Sequence, residues 1–381
     1  MLGNGITPFP FLFLSIRKWK NLMDITPYLK LTVERDASDI YFTVGSPARL
    51  KISGKVINVG KTMLTADMTQ AIADNIMNEK QRAFFEKELE IDLAISFDEI
   101  QARFRVNAFR QKGFVSLAMR YIKTKVPTLD ELKLPVILKD FVLRKRGLIL
   151  VAGPTNTGKS TTIAAMIEHR NKHRAGHILT IEDPIEFIHS HQKSLINQRE
   201  LGMDTHSYLR ALRSAMRESP DVILIGEIRD RETMTAAVEL SNTGHLAIST
   251  LHASNANQAM QRIIALFPRE QHERLFMDLS LNVISIISQR LVTGVDNRLA
   301  AAIEVMINTP YIADLILKGK IEDIKEAMTG SGAEGMQTFD MAMFNLYTEG
   351  RISLEEALAN ADSRTDLQVK IAFGQSAGAF N

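Results

Sequence analysis

A chain of 381 residues exceeds the ~100 to 200 of one ordinary domain, so two domains are expected. Hydrophobic residues at 45% and charged residues at 24% exclude a disordered chain, while 46 basic against 44 acidic residues, with no basic block or tail, argue against direct nucleic-acid binding. Cysteine is absent, which excludes disulfides and thiolate metal sites and suits a reducing cytoplasmic home.

The first candidate element, ITPFPFLFLSIRKWK, is interrupted by Pro8 and Pro10 and falls short of the ~20 apolar residues of a spanning helix. It lacks a preceding basic stretch and a small-residue cleavage site, so residues 1–22 are expected to be a disordered extension, or a start placed too far upstream, rather than an anchor. From Asp39, DIYFTVGSPARLKISGKVINVG alternates apolar and polar residues around Gly45-Ser46-Pro47 and Ser53-Gly54, as strands joined by turns do. Thr65 to Leu89 carries Ala71, Ile72, Ile76, Phe84 and Phe85 on a helical period, and DLAISF returns to strand alternation. RFRVNAF and FVSLAMRYI flank Gln111-Lys112-Gly113 as a hairpin. Residues 23–122 therefore read as an antiparallel α+β domain, and 123–135, with Pro127 and Pro135, as a linker.

After the linker the pattern changes. GLILVAGPT, HILTIEDP, DVILIGEI and HLAISTLH are short, nearly continuous apolar runs that alternate with helical stretches such as Thr161 to Arg170 and Ser207 to Glu218. Strands of that kind are buried on both faces, so residues 136–381 should hold a mostly parallel sheet covered by helices. From Pro310 onwards the chain reads as helices, the last marked by Ser353 with Glu356 after Gly350 has ended its predecessor.

GLILVAGPTNTGKST satisfies the phosphate-loop pattern between an apolar strand and a helix. That spacing aims successive backbone N–H groups and a helix N-terminus at phosphates, here through Gly153, Pro154, Thr155, Asn156, Thr157, Gly158, Lys159, Ser160 and Thr161. Lys159 would neutralise the β and γ oxygens of ATP, and Ser160 would hold Mg²⁺. Asn156 stands where such loops usually carry glycine, and asparagine is among the residues best tolerated at positive φ.

Acidic clusters follow at two strand ends: Glu182, Asp183 and Glu186 in TIEDPIEF, and Glu227 in DVILIGEIRD. In a parallel sheet both share the phosphate-loop edge. Hydrolysis needs one carboxylate beside the metal and another to orient water, which suits Glu227 and Glu186 respectively, with Glu182 a substitute for either. His245 and His252 bracket the strand in TGHLAISTLH; His252 is open to two roles, a sensor of the γ-phosphate or a structural hydrogen-bonder.

The ordered set GPTNTGKST, TIEDPIEF, LRSAMRESPDVILIGEIRD and TGHLAISTLHASNANQAMQRI, with NAFR and GMQTFD, resembles the secretion-type hexameric ATPases, specifically the type IV pilus retraction motors of the PilT and PilU kind. The resemblance implies a PAS-like N-terminal domain, a RecA-like ATPase domain with a helical C-terminal part, and a homohexameric ring. It equates Gly153 to Ser160 with Walker A, Glu182 to Glu186 with the Asp box, the strand ending at Glu227 with an atypical Walker B in which Gly226 replaces aspartate, and His245 to His252 with the His box. It also implies that Arg105 and Arg120 approach the nucleotide; Arg103, Arg105 and Asn107 share one strand face by alternation. Pilus assembly ATPases typically carry a four-cysteine zinc motif, and this chain has no cysteine. HASNANQAMQRIIALFP and the closing segments look more like the PilU variety, which implies a motor assisting a partner retraction ATPase at an inner-membrane pilus platform, cytoplasmic and peripheral. The alternative is a weakly hydrolysing structural ring subunit that couples such a partner to the pilus base.

Overall fold

A computed structural model describes residues 24–100 and 102–378, so the expectation for residues 1–22 lies outside the described residues. The chain divides into two compact units at Thr124 and Lys125.

In the first unit, α1 (Thr26–Glu34) precedes β1 (Asp39–Thr43), β2 (Ala48–Ile52) and β3 (Lys55–Val59); α2 (Ala66–Ile76) and α3 (Glu79–Glu88) then lead into β4 (Glu90–Phe97), β5 (Ala102–Gln111) and β6 (Phe114–Ile122). The six strands form one antiparallel sheet in the order β3-β2-β1-β6-β5-β4. Both tight hairpins place two residues at positive φ, Ser53 with Gly54 and Lys112 with Gly113, the geometry whose twist matches that of the flanking strands. Alternation sends Phe104, Val106 and Ala108 into the core and Arg103, Arg105 and Asn107 to the other face. The helical period expected from Thr65 to Leu89 is two helices. Asn78 accepts from the Gln81 N–H while the Gln81 side chain accepts from the Asn78 N–H, a reciprocal cap that starts a new helix.

The stretch 123–135, expected as a linker, is packed from Lys125 onwards: Leu129 and Leu134 are buried with Ile149 and Val151. Those two leucines, with Leu132 packed partly buried beside them, supply the apolar area that an open linker would lack.

The second unit continues with α4 (Ile137–Leu143), β7 (Gly147–Ala152), α5 (Lys159–His173), β8 (Gly176–Glu182), β9 (Ser194–Glu200), α6 (Tyr208–Ala215), β10 (Val222–Ile225), α7 (Arg231–Asn242), β11 (Leu246–Leu251), α8 (Ala256–Ala265), α9 (His272–Asn282), β12 (Val283–Thr293) and β13 (Leu299–Ile307). Five helices close the chain: α10 (Pro310–Leu317), α11 (Ile324–Thr329), α12 (Phe339–Thr348), α13 (Leu354–Asn360) and α14 (Arg364–Gly378). The seven-stranded sheet runs β13-β12-β7-β11-β10-β8-β9, parallel throughout except for β13.

Why the apolar runs are continuous is visible in β7. Leu148, Leu150 and Ala152 enter one core cluster, Ile149 and Val151 another, so both faces are covered. Phe339, Met343 and Leu358 of α12 and α13 form a further cluster with Val292 and Ala302 of β12 and β13. Among the described residues no helix is long and apolar enough to cross a membrane.

Candidate active site

The loop from Gly153 to Gly158 joins β7 to α5, at the carboxyl edge of the sheet. Its three unusual backbone angles fall at Gly153 (φ 159°), Asn156 (φ 63°) and Gly158 (φ 86°). Asn156 thus occupies the left-handed region, where the missing glycine would have been most useful and asparagine costs least. The Lys159 ammonium curls over the loop and donates to the carbonyl oxygens of Gly153 (2.8 Å) and Pro154 (2.7 Å). Burial pushes this ammonium below the ordinary lysine range, and Glu227 opposes the shift. Ser160 is exposed at the first turn of α5, and Thr161 follows half-buried.

Register carries the downstream groups to the same edge. Ala152 pairs Leu251, Ser249 pairs Ile225, and Ile225 pairs Ile181, so the residues after β7, β11, β10 and β8 emerge side by side. The Gly226 N–H donates to the Ile181 carbonyl (2.8 Å), and the Gly226 carbonyl accepts from the Thr250 hydroxyl (2.6 Å). A Cβ at this position would lie 2.7 Å from the Tyr208 hydroxyl oxygen and 3.2 Å from both the Glu182 Cα and the Ile181 carbonyl oxygen. A side chain here, such as the aspartate of the usual pattern, would have to displace the Tyr208 ring.

Glu227 is engaged on both oxygens: the Arg229 Nε donates to Oε2 (2.9 Å), and His252 Nε2 lies 3.2 Å from Oε1. In return, Glu227's hydrogen bond and charge hold the Arg229 guanidinium above its ordinary value. His252 is itself fixed through its carbonyl, which accepts from Arg262 (3.0 Å). His245 starts the opposite end of β11, where its Nδ1 lies 3.1 Å from the Leu240 carbonyl oxygen. Of the two histidines bracketing β11, only His252 reaches the site.

Glu182 and Glu186 differ in exposure. The Glu182 carboxylate accepts from the Thr180 hydroxyl (2.7 Å), the Gln198 amide (3.3 Å) and the Glu186 N–H, and burial pushes its titration up. Beyond the cis peptide bond Asp183–Pro184, Glu186 presents an exposed carboxylate. Gln198 clamps the loop around it, donating to the Phe187 carbonyl (2.9 Å) and accepting from the His189 N–H (2.9 Å). His189 in turn meets Glu168 of α5, with Nδ1 3.2 Å from Oε2. Glu182 therefore serves as an anchor for the loop, while Glu186 is the carboxylate turned to solvent.

Sequence reading missed Arg229, Gln198 and Gln289. Arg229 had a local signal, the cation two residues after Glu227. Gln289 had none, since its partner Thr162 lies 127 positions away.

Arg105 and Arg120 belong to the first unit, where they are direct cross-strand partners on β5 and β6 and so share a face. Arg120 Nε donates to the buried Asp39 carboxylate (2.9 Å), and Arg105 lies 3.9 Å from Asp92. The two side chains thus turn to carboxylates on opposite neighbouring strands, Arg120 to β1 and Arg105 to β4.

The profile of the Type II/IV secretion system protein family matches residues 21–366. The "Type IV pilus ATPase PilU" of Pseudomonas aeruginosa is 49% identical, covering 94% of this chain and 94% of that protein. The "Type IV pilus retractation ATPase PilT" of the same organism is 42% identical over 89% of this chain and 98% of its own length. A crystal structure of the pilus retraction motor PilT with bound ADP superposes with a TM-score of 0.84 at 38% identity, covering 91% of this chain and 99% of that one. The chain belongs to the Type II/IV secretion system protein family, on the branch of the pilus ATPases PilU and PilT.

Proposed function

We propose that the protein is an ATP-hydrolysing motor for type IV pilus retraction, acting as a homohexamer at the cytoplasmic side of the pilus base and assisting a partner retraction ATPase. The convergence of Lys159, Glu227 and His252 on the phosphate-loop edge carries the reading.

The donor chemistry fits Mg²⁺. The Ser160 hydroxyl and the Glu227 carboxylate are hard oxygen donors, and among the described residues no cluster of three His, Cys, Asp or Glu could hold a metal by itself. A cation that keeps several waters and takes the rest of its ligands from phosphates suits such a sparse set. Bound there, it would neutralise charge on the β and γ oxygens.

The chain's own residues would then divide the work. Loop N–H groups from Asn156 to Thr161 bind the phosphates, and Lys159 leaves the Gly153 and Pro154 carbonyls for the β and γ oxygens. Glu227, held by Arg229 and His252, would stand beside the Mg²⁺ and help to hold it. Glu186, exposed beyond Pro184, takes the proton of the attacking water. His252 reads the γ-phosphate through Glu227, since any pull on that carboxylate is felt at Nε2. Arg105 and Arg120 of the first domain would approach the nucleotide and stabilise phosphate charge.

The test is the ATPase rate of wild type, Lys159→Ala, Glu227→Ala and Glu186→Gln, alone and with a co-purified partner motor. Lys159→Ala is expected to abolish turnover of this chain alone and any increment over the partner's own rate, and Glu186→Gln to lower kcat at least ~100-fold with nucleotide affinity kept. If wild type and Lys159→Ala are equally inactive alone and add equally little to the partner's own rate, the motor reading fails and the structural-ring reading replaces it.

A further inference from the structure

A phosphate loop works through backbone N–H groups, and its affinity depends on their being aimed before the anion arrives, because freedom lost in advance is not lost on binding. What holds the loop in shape therefore matters as much as Lys159.

Gln289 of β12 meets the loop at three places. Its amide oxygen accepts from the Thr162 hydroxyl in the first turn of α5 (2.8 Å). Its amide nitrogen stands so near Gly158 that a Cβ there would lie 2.8 Å away, and its main-chain carbonyl oxygen would be 2.8 Å from a Cβ on Gly153. The first glycine, the last glycine and the helix start are thus gauged by one residue that is only 3% exposed. Parallel pairing of Ser288 with Ala152 puts Gln289 just beyond the end of β7.

The strand is held firmly at this point. Arg290, whose side chain alternates to the other face, pairs with Asp362 (2.7 Å), donates to the Asn360 carbonyl (3.1 Å) and stacks 3.8 Å over the Phe339 ring. Gln289 is therefore a fixed gauge rather than a side chain that follows the loop.

We propose that Gln289 is a positioning residue for the phosphate loop: it holds Gly153, Gly158 and Thr162 so that the loop N–H groups face the phosphates, and as a neutral amide it puts no negative charge beside them. The proposal rests on the reading of this loop as the ATP site.

Equilibrium binding of ADP and ATP to the full chain, with kcat, KM and thermal unfolding, tests it in Gln289→Leu and Gln289→Glu. Leucine removes the hydrogen bond from Thr162 and the amide beside Gly158, and Kd and KM are expected to rise about tenfold with kcat nearly unchanged, because the loop grips ground and transition states alike. Glutamate keeps the acceptor for Thr162 but adds a buried negative charge beside the phosphates, so its Kd is expected to rise further than that of the leucine variant. A purely structural role would lower the unfolding temperature of both variants without ordering their Kd values in this way. If Gln289→Leu does not fold, Thr162→Val, which removes the partner hydroxyl and leaves β12 intact, is expected to raise Kd severalfold.

Wild-type Kd in folded Gln289→Leu and Gln289→Glu overturns the proposal, as does wild-type Kd in Thr162→Val where leucine cannot be used. Lys159→Ala separates the two levels. If it abolishes binding while the Gln289 variants bind normally, only the positioning role falls; if it too binds normally, the assignment of the loop as the ATP site falls.

Discussion

Replacing Gly226 by alanine adds one methyl group at the point where the strand before Glu227 is closest to its neighbours. The new Cβ would lie 2.7 Å from the Tyr208 hydroxyl oxygen, roughly 0.5–1 Å inside ordinary contact. The backbone cannot step aside, because the Gly226 N–H is bound to Ile181 and its carbonyl to Thr250. Tyr208 must move instead, and overpacking of this kind costs about 1–3 kcal/mol, a fall of roughly 2–10 °C in the unfolding transition for a unit of this size. Glu227 is the next residue, so a shift approaching 1 Å should lower kcat about 10- to 100-fold while ATP still binds. The companion change Tyr208→Phe removes the clashing oxygen but leaves the 3.2 Å approaches to Glu182 and Ile181, so it should recover about half the loss in a double-mutant cycle. Differential scanning calorimetry and steady-state ATPase assays on the four proteins measure both. Gly226→Ala as stable and active as wild type, or a double variant no better than Gly226→Ala, would refute the steric account.

Asn156→Gly should bind ADP as wild type does, whereas Asn156→Val, β-branched at φ 63°, should lose about 1–2 kcal/mol in loop conformation and weaken ADP binding by about an order of magnitude in the same equilibrium titration. Burial pushes the Glu304 carboxyl up to about 7, so the stability that its neutral form contributes is full below ~4.5 and is lost as pH rises to ~7; Glu304→Gln, still accepting from the Ala256 N–H (2.7 Å), should match wild type near pH 4.5 and exceed it by up to about 3 kcal/mol at pH 8 in urea unfolding. Glu168 runs the other way: the His189 hydrogen bond leads in lowering its carboxyl to about 2, so its contribution is full above ~4.5 and lost as pH falls towards 2. Glu168→Gln should cost about 2–3 kcal/mol at pH 7 in the same assay, and the gap from wild type should narrow steadily below pH 4.

Elements whose signal is local were readable in advance. β7, β8, β10 and β11 stand out because a strand covered on both faces is apolar at every position, and the phosphate loop because its chemistry needs contiguous backbone N–H groups. The break between α2 and α3 also had a local sign, Asn78 followed three residues later by Gln81, but the apolar period runs across it unchanged. β9, β12 and β13 carry no comparable mark: β9 reads SLINQRE, with only Ser194, Ile196 and Glu200 fully buried, and β12 mixes Ser285, Ser288 and Gln289 into a buried strand. Those polar residues make sense only once the partners across the sheet are known. Glu182 shows the same limit within the site, since it looks equivalent to Glu186 until Thr180 and Gln198 are seen to occupy its oxygen.

The two places where this chain departs from the usual nucleotide-site pattern, Asn156 and Gly226, answer to different constraints. At 156 the limit is conformational: φ is 63°, the position is exposed, and any residue that tolerates the left-handed region can serve. At 226 the limit is space: the backbone is ordinary, but Tyr208, Glu182 and Ile181 close on it from three directions. Losing the aspartate that would otherwise precede Glu227 leaves a single carboxylate at the end of β10, and the structure compensates by bracing that carboxylate from both sides with Arg229 and His252. Arg229 also lies 3.9 Å from Asp183, so the brace ties the end of β10 to the loop that carries Glu186. On the proposed reading, a change at the γ-phosphate that moved Glu227 would be passed to both β11 and the Glu186 loop, which is what a motor requires of its hydrolytic site: the step that breaks the bond must displace more than the group that breaks it.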